Sequence, residues 1–249
     1  TGGCHYSYSC TSYTNMCKDC PSQKRPAVKY IIELSHRRTK SYIKQSSLCG
    51  IVTPSSWLRK KSLSSATLGS LPTYLINNPI DTNLYKPLKP ETWQLTRHSL
   101  TTAENIVVLI LGSGKIAKDS IRDKIRVVNL GYIDDYSYHS MIYAISDLIL
   151  FPSITENFSN ILLEAMSCGT PSLVFNVGGN PEIVSHRVNG FICQEVSANA
   201  FSEALSFLLS TKEYLSYRSS AREAAVEKYD PGLIGSRYRS FFSSLTGAR

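Results

Sequence analysis

The sequence has no apolar run approaching the ~20 residues that a membrane-spanning helix needs, which excludes such a span. Its opening, TGGCHYSYSC, has neither a basic stretch nor an apolar core, which excludes a secretory leader there. It lacks an initiator Met and begins on a Thr-Gly-Gly turn, as a piece of a longer chain would. Acidic residues are scarce at the front. Residues 1–100 hold 14 Lys and Arg against 4 Asp and Glu, whereas residues 101–249 hold 13 against 15. The runs RRTK (37–40) and RKK (59–61) make that front a face for anionic lipid, phosphorylated substrate or nucleic acid, and a solvated surface fits equally. No internal repeat is visible. GSGK (112–115) lacks the G-x-x-x-x-G-K-[ST] spacing of a phosphate loop and reads as a strand-end turn. His36, His98, His139 and His186 have no carboxylate or serine at catalytic spacing and read as surface or core polar residues.

What is present is enough for a core. The chain has 249 residues and is 42% hydrophobic, which suits one large domain or two small ones. GIVTPS (50–55) and TYLINNPID (73–81) read as short strands closed by proline. IVVLILGSG (106–114), IRVVNLGYI (125–133) and DLILFPS (147–153) are continuous apolar runs that predict strands buried on both faces, and PSLVF (171–175) is a fourth strand. Helices are predicted over SYHSMIYAISD (137–147), from about Phe158 to Ser167, over residues 201–210 and 214–229, and at the end over 233–245. The tail reads either as a crossover packing back on the front of the chain or as a terminal helix pair. Residues 86–105 read as loop. Strands alternating with helices predict an α/β fold with a parallel, Rossmann-like sheet from about residue 79 onward, preceded by a smaller unit over residues 1–78. Ligands of such sheets bind beyond the carboxyl ends of the strands.

Seven cysteines is an odd number. Cys49, Cys168 and Cys193 sit in apolar contexts, as buried thiols of a reducing compartment do. Cys4, Cys10, Cys17 and Cys20, with His5 beside the first, offer ligands for a structural zinc, with a disulfide pair or plain buried thiols as the alternatives. No aromatic-and-basic strand pattern or recognition helix accompanies them, which argues against a nucleic-acid module.

The stretch SITENFSNILLEAMSCGTP (153–171) places Glu156 at the mouth of a helix and Glu164 inside it. Helix N-termini carry unpaired amides and partial positive charge and so bind anions, here through Asn157, Phe158 and Ser159. An acidic residue just before an anion site has another task, such as accepting sugar hydroxyls. A second carboxylate roughly 7–9 Å along the helix, at ~1.5 Å per residue, matches the reach from a sugar across a diphosphate to a ribose. One extended sugar nucleotide would satisfy both. A helix-start charge and an ordinary exposed glutamate would also explain the pair.

The residues PSITENFS, LLEAMSCGTP, VGGNPEIV and VNGFI together resemble the donor-binding signature of the group 1, family-4-type retaining glycosyltransferases. TGGCHYS, CKDCPSQ, GIVTPSSWL and NNPIDTNLYKP resemble the second half of that family's acceptor-side domain and its linker. The resemblance implies a GT-B fold: residues 1–78 as a partial amino-terminal domain and 79–249 as a nucleotide-sugar donor domain. It implies hexosyl transfer from a nucleotide sugar to a glycan or lipid-linked acceptor, without a metal for the chemistry. Glu156 would contact the donor sugar, and the amides of Asn157, Phe158 and Ser159 would meet sugar and phosphate. Glu164 would hold the ribose, and Gly131, Tyr132 and Ile133 would lie near the base. A cytoplasmic place, peripheral to the inner face of an anionic membrane, would follow.

Three departures stand beside the resemblance. The family's first βα unit and its His-Asp stretch would precede Thr1. Between Pro79 and Ile106 there is no apolar strand followed by the Arg and Lys-Gly that clamp the diphosphate. Ser159 replaces the usual glycine, which asks for helical dihedrals there. These departures predict a truncated, internally deleted enzyme, weak or inactive alone, or a non-catalytic nucleotide-sugar-binding remnant.

Overall fold

The computed structural model describes residues 10–18, 20, 23–89, 91–92, 106–113 and 125–246. The front opens on α1 (Pro26–Gln45), which starts on a proline at its first turn, where the missing amide costs no hydrogen bond. Sequence reading missed this helix. It buries only His36 and Ile43, and the basic run RRTK occupies the start of its second half. The next elements form a βαβ unit: β1 (Ile51–Thr53), α2 (Ser56–Leu63) and β2 (Thr73–Leu75), with Ile51 opposite Thr73 in parallel register. Ser55 caps α2, its hydroxyl accepting from the Leu58 amide at 3.1 Å.

The second part follows the expected alternation. β3 (Ile106–Leu111) pairs in parallel with β4 (Ile125–Gly131). Then come α3 (Tyr136–Ile145), β5 (Ile149–Phe151), α4 (Asn160–Ser167), β6 (Ser172–Phe175), the short α5 (Asn180–Ile183) and β7 (Gly190–Cys193). β5, β6 and β7 form one parallel sheet with β6 in the middle. Among the described residues every strand pairing is parallel, as a β–helix–β succession requires. Three helices close the chain: α6 (Ala198–Thr211), α7 (Tyr217–Tyr229) and α8 (Pro231–Thr246).

Three sequence expectations are corrected by the structure. β3, β4 and β5 are half-buried, not covered on both faces, whereas all four residues of β6 are buried. Burial on both faces needs packed layers above and below the sheet, which β6 has. β6 lies between β5 and β7, while β3 has β4 as its strand partner among the described residues. The described strands of the second part fall into two sheets, β3–β4 and β5–β6–β7, where one was expected. Cys49 is exposed, because it lies in the loop leading to β1 beside the equally exposed Leu48, whereas Cys168 and Cys193 are buried.

The core sits on both faces of β6, as the two-residue period of a strand dictates. Val174 joins Leu162, Leu163 and Met166 of α4, Tyr143 of α3 and Tyr229 of α7. Leu173 and Phe175 point the other way, to Leu208 of α6, Tyr214 and Tyr217. Ala221 and Ala225, four apart on α7, are fully buried, and their small size lets α7 lie close to α4. α8 returns to the front: the Phe241 ring lies 4.7 Å from that of Tyr74, and Arg237 reaches Asn77. The tail is thus the crossover, the first of its two readings.

Candidate functional site

The turn that follows β5 is built by several independent anchors. Ser153 Oγ donates to the Thr155 carbonyl at 2.9 Å. Phe158 drops into the core against Tyr229, ring centroids 5.8 Å apart, which turns the chain before the helix begins. Ser159 is the N-cap, at φ −74° and ψ 123°. α4 therefore starts at Asn160, two residues later than predicted, and its open first-turn amides are those of Asn160, Ile161 and Leu162. Ser159 is not helical, and its extended dihedrals suit any L-residue, so the usual glycine is not needed there. Only residues 160–164 of the eight-residue spacing rise along a helix, and a turn spans the rest, so the simple helical-rise estimate does not apply.

Glu156 is half-buried in that turn, where its Oε1 accepts from the Asn157 amide at 3.3 Å. Two glycines press on it from behind. A Cβ on Gly178, at φ +56°, would overlap the Glu156 carbonyl oxygen, and one on Gly179 would overlap that of Asn157. Here the Gly-Gly pair of VGGNPE has a physical reason: two backbones touch.

Glu164 lies one turn into α4 and is half-buried. Burial pushes its carboxyl above the ordinary range, while the Tyr143 hydroxyl, the nearby His139 and the Tyr85 hydroxyl pull the other way. The same burial, with the Glu164 charge beside them, raises both tyrosine hydroxyls. Gly131, Tyr132 and Ile133 end β4, with Gly131 at φ +68° and Tyr132 highly exposed. Next to them lies an open cavity of about 590 Å³ lined by Leu84, Asp134, Asp135, Tyr136 and Ser137. The hydrogen bonds around Glu156 involve none of residues 131–133 among the described residues.

Sequence reading quoted one acid within VGGNPEIV but gave it no role. Glu182, in the first turn of α5, accepts from the Ser56 and Trp57 amides at 2.7 and 2.9 Å, at the start of α2. An acid three residues after a Gly-Gly pair, and a PSSWL helix start lacking an acid of its own, were the available signals.

The other candidates fall outside this turn. Cys10 is half-buried and Cys17 and Cys20 are buried, while Cys4 and His5 lie outside the described residues. Among the described residues no three His, Cys, Asp or Glu side chains gather as metal ligands. His36 pairs with Thr67 at 2.9 Å and His186 accepts from the Ile192 amide at 3.1 Å, both structural roles. His98 and residues 114–115 of GSGK lie outside the described residues.

The family profile described as Glycosyl transferases group 1 matches residues 95–227, more than half of the chain. The chain belongs to this family. Within it, the sequence is 33% identical over 118 residues to the N-acetyl-alpha-D-glucosaminyl L-malate synthase of Bacillus anthracis, covering 47% of this chain and 30% of that protein. It is 30% identical over 106 residues to the UDP-Gal:alpha-D-GlcNAc-diphosphoundecaprenol alpha-1,3-galactosyltransferase of Escherichia coli, covering 40% of this chain and 27% of that one. The chain thus spans about a third of the length of these relatives. Anabaena HepE, solved in complex with UDP and glucose, superposes with a TM-score of 0.68 at 20% identity, over 85% of this chain and 67% of HepE. The fold of this group 1 member is the GT-B type.

Proposed function

We propose that this group 1 glycosyltransferase chain binds a nucleotide sugar on the Glu156 turn and transfers its hexose, with retention, to a glycan or lipid-linked acceptor. Residues 79–249 are the donor domain in this reading and residues 1–78 part of the acceptor side. Glu156 faces the donor sugar and is the catalytic carboxylate. The backbone of Asn157, Phe158 and Ser159, with the open amides that begin α4, meets sugar and diphosphate. Glu164 takes the ribose hydroxyls, and Gly131, Tyr132 and Ile133 flank the base, beside the cavity at the end of β4. Transfer through an oxocarbenium-like state loads charge onto the leaving diphosphate, so fixed amides aimed at it are the main catalytic device. The observation that carries the reading is the half-buried Glu156 in the turn that leads from the carboxyl end of a parallel strand to the open first turn of α4. The activities of the two relatives and the UDP bound to HepE support it.

Contact with an anionic membrane surface, at the cytoplasmic face, belongs to the same reading. The basic front supports it, with Tyr30, Ile31, Arg38, Tyr42 and Lys44 exposed along α1. Among the described residues no helix is long and apolar enough to cross a membrane.

Calorimetric titration of the full chain with UDP-glucose and GDP-mannose tests the reading. Saturable binding of one of them is expected, weakened about tenfold or more by Glu156→Ala, roughly the loss of one good hydrogen-bonding group. Absence of binding by either overturns it. A binding-only remnant is the second reading, favoured by the division of the described strands into β3–β4 and β5–β6–β7. Donor turnover separates the two.

A further inference from the structure

The front βαβ unit and the donor turn are joined by buried polar contacts that neither the family match nor the sequence reading assigns. Ser55 is fully buried. Its hydroxyl accepts from the Leu58 amide at 3.1 Å and donates its single proton to Asn157 Oδ1 at 2.7 Å, across 102 residues of chain. Beside it, the two oxygens of Glu182 each take one amide from the start of α2, Ser56 and Trp57. A carboxylate at that place satisfies donors that a helix start leaves open and lies in the favourable field of its dipole. Gly179 closes the gap between the two parts: a Cβ there would stand 3.2 Å from the Ser55 Cβ. The start of α2, the Glu156–Asn157 turn and the start of α5 therefore meet at one point.

We infer that Ser55 and Glu182 are positioning residues that fix the Glu156–Asn157 turn against α2, so that its geometry is set before any donor arrives. The role of the turn rests on the donor-binding reading above; the clamp itself does not. A turn held by one side-chain hydrogen bond and two close glycines, against an α2 that two charge-assisted bonds tie to α5, has few conformations left to lose on binding, which is how preorganisation raises affinity. The clamp also makes any displacement of the β1–α2 unit a displacement of the Glu156 turn, because Asn157 is bonded to the residue that caps α2.

The test uses the full chain and three variants. Asn157→Ala removes the acceptor without touching the α2 cap, Asn157→Asp keeps an oxygen for Ser55, and Glu182→Gln removes one of the two acceptor oxygens. Hydrogen exchange of the ligand-free proteins over residues 155–162 is read first. Exchange about tenfold faster in Asn157→Ala and Glu182→Gln, with Asn157→Asp near wild type, is the expected result. Unchanged exchange in Asn157→Ala, with the fold intact by circular dichroism, overturns the clamp whether or not nucleotide sugar binds. UDP-glucose affinity is read second, in a cycle with Ser55→Ala. Non-multiplying losses, with the double variant about as weak as Asn157→Ala alone, are expected, and fully multiplicative losses overturn the joint role. A wild-type chain that binds no nucleotide sugar would sink the donor-binding reading, and the exchange result would still decide the clamp.

Discussion

A methyl group on Gly178 would fall on the carbonyl oxygen of Glu156. The two residues are far apart in sequence, yet their backbones touch because Gly178, at φ +56°, has no side chain to hold them off. The strand-to-helix turn after β5 thus depends on a second turn, the one after β6. This dependence fixes the Glu156 backbone from outside the helix, since α4 does not begin until Asn160.

Gly178→Ala should therefore destabilise by about 2 kcal/mol or more, combining left-handed backbone strain with the overlap. Gly235→Ala is the contrast. That glycine lies within α8 with open space around its missing Cβ, the nearest atom being an Arg239 nitrogen at 3.8 Å. Replacing it should stabilise by roughly 0.5–1 kcal/mol through helix propensity. Urea denaturation of both variants checks the pair, and equal effects of the same sign would contradict the contact.

Glu164→Gln should separate stability from binding. Burial raises the Glu164 carboxyl above its ordinary value of 4.5. A carboxyl raised by folding favours the folded state where it is protonated. That contribution is complete below the ordinary value and is lost as pH rises through the raised one. At neutral pH the buried charge is a burden, so Glu164→Gln should melt higher at pH 7–8, by about 1–2 °C given the partial exposure. The gap should close toward pH 4. The same variant should bind UDP-glucose about tenfold more weakly if the carboxylate holds the ribose. A lower melting temperature at pH 8 would contradict the burial argument.

Much of this was legible in the chain, for local reasons. Apolar β-branched runs ending in glycine or proline located β3 to β6, and the Glu156–Glu164 stretch announced itself by its place after such a run. What was not legible depends on partners distant in sequence. The task of Glu182 lies at Ser56 and Trp57, more than a hundred residues away, and no pattern links the two. α1 went unread because RRTK (37–40) reads as a basic patch, although the apolar positions around it do recur at helical spacing. The α4 start slipped because Phe158 looks like the first apolar position of a helix, while its ring in fact leaves for Tyr229. Strand burial was overestimated because an apolar run records composition and not which neighbours will cover it.

Arg222→Lys should cost far more than a conservative exchange suggests. One guanidinium of α7 donates to the Tyr85 carbonyl at 2.9 Å, to the Ser167 carbonyl at 2.8 Å and to the Thr82 carbonyl at 3.0 Å. It thereby ties the segment before β3 to the end of α4. A lysine ammonium is a single point and cannot span three carbonyls set around a planar fork. The Tyr85 carbonyl keeps the Ser167 hydroxyl as a donor, but the loss at the Thr82 and Ser167 carbonyls should destabilise by about 2 kcal/mol, read as a lower urea midpoint with an unchanged slope. A loss below about 0.5 kcal/mol would mean that water replaces the arginine.

The thiols should report the core directly. Burial pushes the Cys168 thiol up to about 11, against the opposing influence of its Ser140 contact and of Arg222, and it also raises Cys193. Only about one Cys168 thiol in a thousand would be thiolate at pH 8, and the thiolate is the reactive form. Cys168 is moreover fully buried, its Sγ 3.5 Å from the Ser140 carbonyl, so reagent cannot reach it without an opening of α4 from α3. Cys49 is exposed. Maleimide labelling followed by peptide mass analysis should therefore modify Cys49 promptly in the native protein. Cys168 and Cys193 should react only at the rate of unfolding, and so faster with each increment of urea. Prompt labelling of Cys168 without denaturant would show that α3 and α4 separate in the native state, and the packing around Glu164, which Tyr143 of α3 shares, would have to be dynamic.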